Sequence, residues 1–191
     1  MIHIHHKNED YLNKIYNFKF SEFTIDYVLN NLKDRYRWPY TYFKTFCPSI
    51  EIIDVCEQQI IKNTNFFDND GYVNSEKIIS LYEEGYTLIL SKCQFLSKEL
   101  SQFHELISIQ FGIKQIQMNL YMSKGSKTTS FPPHYHNYDV LVKNVCGISE
   151  WIFGEKNIIL KDGDIINIPK YTLHGVTKIH LPKLSITCNL N

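Results

Sequence analysis

The sequence predicts a mainly β domain with helices packed on its outside. Three observations carry this reading: apolar residues at helical spacing are confined to the chain before residue 114, short β-rich runs broken by Gly, Pro and Asp fill 114–191, and no repeat, low-complexity tract or linker separates the halves. With 191 residues the chain is long enough for one sizeable core and too short for two. One domain over 1–191 is expected, with 1–113 mostly helical and 114–191 forming a sandwich or small barrel.

The helices come first. In SEFTIDYVLNNLKDR, Phe23, Tyr27, Val28 and Leu32 recur at helical spacing behind a Ser or Thr able to cap the first turn. SEKIISLYEEG repeats the logic, with Ser75 as N-cap, Ile78, Ile79 and Tyr82 on one face and Gly85 at the end. LSKELSQFHELISIQFG is the clearest helix, running from a Ser97 cap through Leu100, Phe103 and Ile107 to Gly112. His104 on this helix is expected to be a hydrogen-bonded or partly exposed residue. The strand runs then follow as KQIQMNLYMS, HYHNYDVLVKNV, ISEWIFG, KNIILKDGDIINIPK, LHGVTKI and KLSITCNL.

Charge and cysteine content exclude several roles. Lys+Arg and Asp+Glu are both 20, so the net charge is zero and no general attraction to nucleic acid or anionic membrane is expected. The five cysteines are odd in number, scattered and without a CxxC pair, which argues against both a disulfide framework and a thiolate zinc site. The N-terminus turns polar too early for a signal-peptide core, and a cytoplasmic location is expected. Its IHIHH stretch reads as a first strand or frayed tail.

The chemistry sits in FPPHYHNYD. On a strand, residues i and i+2 share a face, so His134 and His136 are expected to present both imidazoles to one ion. An HxH pair is common without a metal, and two ligands are too few. A third candidate is His174, which follows Gly163 and Pro169 in GDIINIPKYTLHG. Three imidazoles would leave positions open, as a catalytic metal requires.

HxH followed by Gly163, Pro169 and His174 resembles the two cupin motifs. The pattern through 68–191, from EEGYTLIL to LSITCNL, is similar to the JmjC branch of that superfamily, in particular its bacterial and ribosomal-oxygenase-like group. The resemblance implies a double-stranded β-helix (a cupin, or jelly-roll, barrel), an Fe(II) centre held by His134, His136 and His174, and O2-dependent oxidation with 2-oxoglutarate as co-substrate. It places Asn119 and Tyr121 in the pocket, and Asp139 and Asn144 beside the ligands rather than on the metal.

Three departures shape the expectation. The family's second ligand is normally the aspartate of HxD, and His136 leaves the centre one unit more positive. The basic residue that grips the far carboxylate of 2-oxoglutarate in many members falls here on Ser149. Lys183 and Ser185, sharing a face at strand spacing, resemble the basic-x-Ser pair of other 2-oxoglutarate oxygenases and are the substitute; Lys143 is a weaker one, because Val140 and Val142 own the inward face. Finally, the sequence ends just past the last strand, so a small molecule, amino acid or peptide is expected as substrate. The alternatives are a three-histidine dioxygenase that needs no 2-oxoglutarate and a non-catalytic cupin holding zinc or another ligand.

Overall fold

The computed structural model of the protein describes residues 9–33, 50–54, 59–61, 74–125 and 131–191. The IHIHH stretch, Cys47 and Cys56 lie outside the described residues.

Among the described residues four α-helices form where apolar spacing and caps agree: α1 (Glu9–Tyr16), α2 (Ile25–Lys33), α3 (Ser75–Glu83) and α4 (Lys98–Phe111). Thr24 caps α2 by accepting from the Tyr27 N–H, and Ser97 caps α4 by accepting from the Leu100 N–H, each at 3.1 Å. Helix α4 ends on Gly112, whose φ of 68° lies in the left-handed region where a Cβ is penalised. The expected Ser75 cap is corrected by one residue. Asn74 accepts from the Lys77 N–H at 2.9 Å, and Ser75 is already helical. Asn caps as well as Ser, so the helix starts at the earlier of two competent residues.

The strands are β1 (Ile50–Asp54), β2 (Gln59–Ile61), β3 (Thr87–Ser91), β4 (Gln117–Ser123), β5 (Asp139–Phe153), β6 (Lys156–Leu160), β7 (Ile165–Ile168) and β8 (His174–Leu190). They build a wholly antiparallel sheet in the order β2-β1-β3-β4-β8-β5-β6, with β7 also on β5. The architecture is mainly β with flanking helices. The sheet does not begin at residue 114, because β1 to β3 extend it beyond β4.

Two strands each fuse a pair of the sequence runs. HYHNYDVLVKNV and ISEWIFG join in β5, and LHGVTKI and KLSITCNL join in β8, so Cys146-Gly147 and Pro182 interrupt alternation without ending a strand. Strands β5 and β8 pair along their whole length, with register shifts between Asn144 and Trp151 that bend the ribbon. Beyond the bend β5 exchanges its second partner: Val140–Lys143 pair with β7, and Ser149–Phe153 with β6. Residues from both halves of the folded ribbon, Val142 and Ser185 from one, Trp151 and His174 from the other, line one cavity.

Alternation along β4 and β8 gives the sheet two distinct faces. Met118, Leu120 and Met122 with Leu184, Ile186 and Cys188 are buried in one cluster with Leu100, Phe103 and Ile107 of α4 and Val28 of α2. Burying each such side chain contributes roughly 1.5–3 kcal/mol, which fixes the helices to this face. The residues between them, Asn119, Tyr121, Lys183, Ser185 and Thr187, point into the cavity. A smaller cluster of Val140, Val142, Trp151, Leu160, Ile168 and Val176 packs β5 to β8 together on the cavity side of the sheet.

Candidate metal centre

The structure brings His134, His136 and His174 together. Their candidate ligand nitrogens all lie within 4.8 Å of one another, and it is the one such group among the described residues. The route there differs from the expected strand. Strand β5 starts only at Asp139, and the residues before it are irregular apart from one bridge, in which the N–H of His134 donates to the His174 carbonyl (2.9 Å) and the N–H of His174 to the His134 carbonyl (2.8 Å). Pro132 and Pro133 have no N–H to give a ladder, which is why the pairing is this short. The segment crosses β8 at Gly175, where a Cβ would sit 2.9 Å from the Pro133 Cα. Any side chain there would push His134 away from His174.

Two of the rings are oriented by the same local device. Nδ1 of His134 lies 2.8 Å from the Pro132 carbonyl and Nδ1 of His174 lies 2.9 Å from the Thr172 carbonyl, each two residues upstream. A carbonyl accepts only, so Nδ1 carries the proton and Nε2 keeps its lone pair for a cation. Nε2 of His134 is 3.2 Å from Nε2 of His136, the separation of two nitrogens each about 2.1 Å from a shared ion at an angle near 100°. Burial, then the neighbouring His134 and His174, push the His136 pKa down to about 4; burial, then His134, lower that of His174. Neutral imidazoles are the ligand form, so the donor set fits a divalent transition metal with open positions.

Neighbouring groups fix this frame, and sequence reading missed most of them. Tyr138 stacks on His136, with centroids 4.8 Å apart and planes 12° from parallel. The alternate spacing that pairs His134 with His136 reaches Tyr138 as well, and is the signal that could have found it. Asp139 is no ligand: its Oδ1 accepts from the Lys170 N–H at 2.8 Å, tethering the loop that leads to His174. In the same loop Tyr171, at φ 62°, donates its N–H to the His136 carbonyl at 2.7 Å. A bulky residue in the left-handed region costs on the order of 1 kcal/mol, here offset by two tethers that join the ligand-bearing segments.

The histidines open onto a cavity of about 250 Å³. Lys183 and Ser185 line it, as expected, together with Asn119 and Tyr121. Lys183 is only 1% exposed; its Nζ lies 4.9 Å from the centre of the Trp151 ring and 3.4 Å from Ser185 Oγ. Burial pushes its pKa down to about 7, and no carboxylate is among the described residues lining the cavity. Asn119 Oδ1 is buried there without a hydrogen-bond partner.

Two expected residues fall elsewhere. Ser149 is fully buried but off the cavity wall, its Oγ accepting from Trp151 Nε1 at 2.9 Å. Asn144 is not beside the ligands: its Nδ2 donates to the Gly147 and Lys161 carbonyls, at 2.7 and 2.9 Å, so it is used up in pinning the bend of β5 to the β6–β7 turn. Lys143 is buried away from the histidines and donates to the Gly163 carbonyl at 2.7 Å, while Val140 and Val142 do face the cavity. Cys188 lies on the helix side of the sheet.

Neither a protein-family model nor a curated protein matches the sequence. Among solved structures, 40% of the chain is similar to 67% of a cupin superfamily protein from Desulfitobacterium hafniense, at 17% identity and a TM-score of 0.35. KdgF from a Halomonas species is similar over 40% of this chain and 69% of its own, at 20% identity and a TM-score of 0.35. An RmlC-like cupin from Shewanella frigidimarina is similar over 39% of this chain and 65% of its own, at 15% identity and a TM-score of 0.35. Two of these three neighbours are named as cupins. No helix among the described residues is long and apolar enough to cross a membrane.

Proposed function

We propose that the protein is a mononuclear non-haem Fe(II) oxygenase of the JmjC-like kind, oxidising a small molecule, amino acid or peptide with 2-oxoglutarate as co-substrate. The observation that carries the reading is Lys183. A buried ammonium facing a cavity without a carboxylate is costly unless a ligand brings the negative charge, and this one shares its cavity with the three histidines. Such a cavity suits a dicarboxylate, one carboxylate of which would pair with Lys183 and Ser185 and the other turn toward the histidines.

His134, His136 and His174 would hold the iron, which supplies the oxidising power for O2 chemistry when bound. The protein's own groups do the rest. The carbonyls of Pro132 and Thr172 keep the ring protons on Nδ1, Tyr138 fixes the plane of His136, and Lys183 orients the acid. Trp151, Val140 and Val142 keep water from the inner end of the cavity. The orphaned Asn119 oxygen offers an acceptor to a donor group of the substrate or co-substrate.

Fe(II)-loaded protein given 2-oxoglutarate and candidate substrates should release succinate above a His174→Ala control. Absence of succinate across a broad panel of amino acids, peptides and metabolites would refute the co-substrate assignment. One observation favours a second reading: the donor set holds no carboxylate, since Asp139 is engaged by Lys170. A three-histidine dioxygenase would bind its substrate on the iron and use no keto acid. Anaerobic titration of the Fe(II) protein separates the two, because chelation by 2-oxoglutarate gives a visible charge-transfer band only under the first.

A further inference from the structure

Lys183 has little to hold it. The Ser185 hydroxyl is at the outer limit of hydrogen bonding, at 3.4 Å, and a lysine side chain has four rotatable bonds to order. What remains in contact with Nζ is the face of Trp151, 4.9 Å from ammonium to ring centre. The indole is itself fixed. It is buried, and its Nε1–H donates to Ser149 Oγ, two residues back on β5, at 2.9 Å. The backbone of Lys183 is seated by the same stretch: at Gly147, with φ 91°, a Cβ would stand 2.2 Å from the Pro182 oxygen and 2.6 Å from the Lys183 Cα. Gly147, Ser149 and Trp151 of GISEW therefore all bear on one lysine of the neighbouring strand, the first through its main chain and the other two through its head group.

We propose that Trp151 is a positioning residue for Lys183, holding the ammonium by its ring face at the anion-binding end of the cavity, with Ser149 locking the indole in the required orientation. The inference rests on the reading of Lys183 as the anion-binding group. It gives Ser149 a part in the site other than contact with the acid: the hydroxyl acts through the indole. A cation over an indole in a desolvated setting is held more firmly than over phenylalanine, and an aliphatic replacement holds it not at all.

The test uses zinc-loaded protein, in which the histidines are occupied, in a Trp38→Phe background so that Trp151 is the sole tryptophan and is excited selectively over the tyrosines. The cavity-facing groups able to titrate are then Lys183 from β8, Tyr121 from β4 and Tyr138 from the segment before β5. Burial lowers the Lys183 pKa to about 7, so protonation across pH 6–9 should shift the emission of Trp151. The shift should vanish in Lys183→Met, which leaves both tyrosines in place. Identical titration curves for parent and Lys183→Met would overturn the pairing. The second arm is calorimetric titration with 2-oxoglutarate. Affinity should fall by a few fold in Trp151→Phe and about tenfold in Trp151→Leu and in Ser149→Ala, with zinc stoichiometry unchanged. A folded, zinc-loaded Trp151→Leu protein that binds 2-oxoglutarate within twofold of the parent would also overturn it. If the parent protein binds no 2-oxoglutarate, the anion-binding reading falls instead, and the emission titration alone decides whether Trp151 holds Lys183.

Discussion

Replacing Lys183 by Met should make the protein more stable and less able to bind its co-substrate. Met nearly matches the lysine stem in volume and carries no charge to desolvate. Lys183 is 1% exposed, and burial takes its pKa from 10.5 in the unfolded chain to about 7 in the fold. Between those values the unfolded state binds more protons, so stability rises with pH from about 7 to 10.5 and is lowest below 7. At 1.36 kcal/mol per pH unit the full span of 3.5 units amounts to about 5 kcal/mol, and nearly all of it is still outstanding at pH 7. Local relaxation reduces this, and replacement of buried charges by apolar groups elsewhere gains about 1–4 kcal/mol. A stabilisation of about 2–4 kcal/mol at pH 7 corresponds to a rise in Tm of roughly 5–15 °C for a chain of this size. Thermal melts of metal-loaded parent and Lys183→Met at pH 7 and pH 10 provide the assay. The variant should melt higher at pH 7, with the gap closing at pH 10, and its affinity for 2-oxoglutarate should drop by at least tenfold. A variant that melts below the parent at pH 7, or a gap independent of pH, would refute the account of Lys183 as a buried ammonium without a protein counter-ion.

Three further outcomes follow from the geometry. Gly147→Ala meets the Pro182 oxygen at 2.2 Å in a backbone conformation that L residues disfavour, and should destabilise the fold by about 2–4 kcal/mol in urea denaturation. His174→Ala should lower metal affinity at least 100-fold in a chelator-competition titration while the circular dichroism of the sheet persists, because the bridge to His134 uses main-chain atoms. Asp139→Ala removes the acceptor for the Lys170 N–H and should cost about 1–2 kcal/mol, with faster amide exchange at Lys170 and Tyr171 than in the parent.

Much of this was legible in the sequence where a local rule is decisive. Ser97 and Gly112 bracket α4 because capping is a short-range effect, and HxH with His174 marks the candidate ligands through its likeness to the two cupin motifs, three histidines that the fold brings together. The expectation of inward-facing Lys183 and Ser185 rested on strand periodicity, and both line the cavity. What the sequence hid depends on distant partners. The fusion of paired runs into β5 and β8 was invisible because a bulge at Gly147 and a proline at 182 look like strand ends. The irregular path of 131–138 followed from two prolines whose missing donors outweighed the alternation. Asn144 looked close to the candidate ligands in sequence, yet its amide is spent on the Gly147 carbonyl of its own strand and the Lys161 carbonyl of the opposite turn. Ser149 and Trp151 acquire meaning only once β8 lies beside them, and Tyr138 only once His136 turns to meet it.

Strand β8 carries a severe constraint on its alignment. Lys183, Ser185 and Thr187 face the cavity, while Leu184, Ile186 and Cys188 face the helices. Sliding this strand by a single position would thrust an ammonium into the oily side and strip the hollow of its polar lining, so no nearby misalignment offers a comfortable resting place. Single-residue insertions or deletions within 183–188 should accordingly be lethal to folding, whereas the turn at Gly154 and Glu155 has room to absorb them.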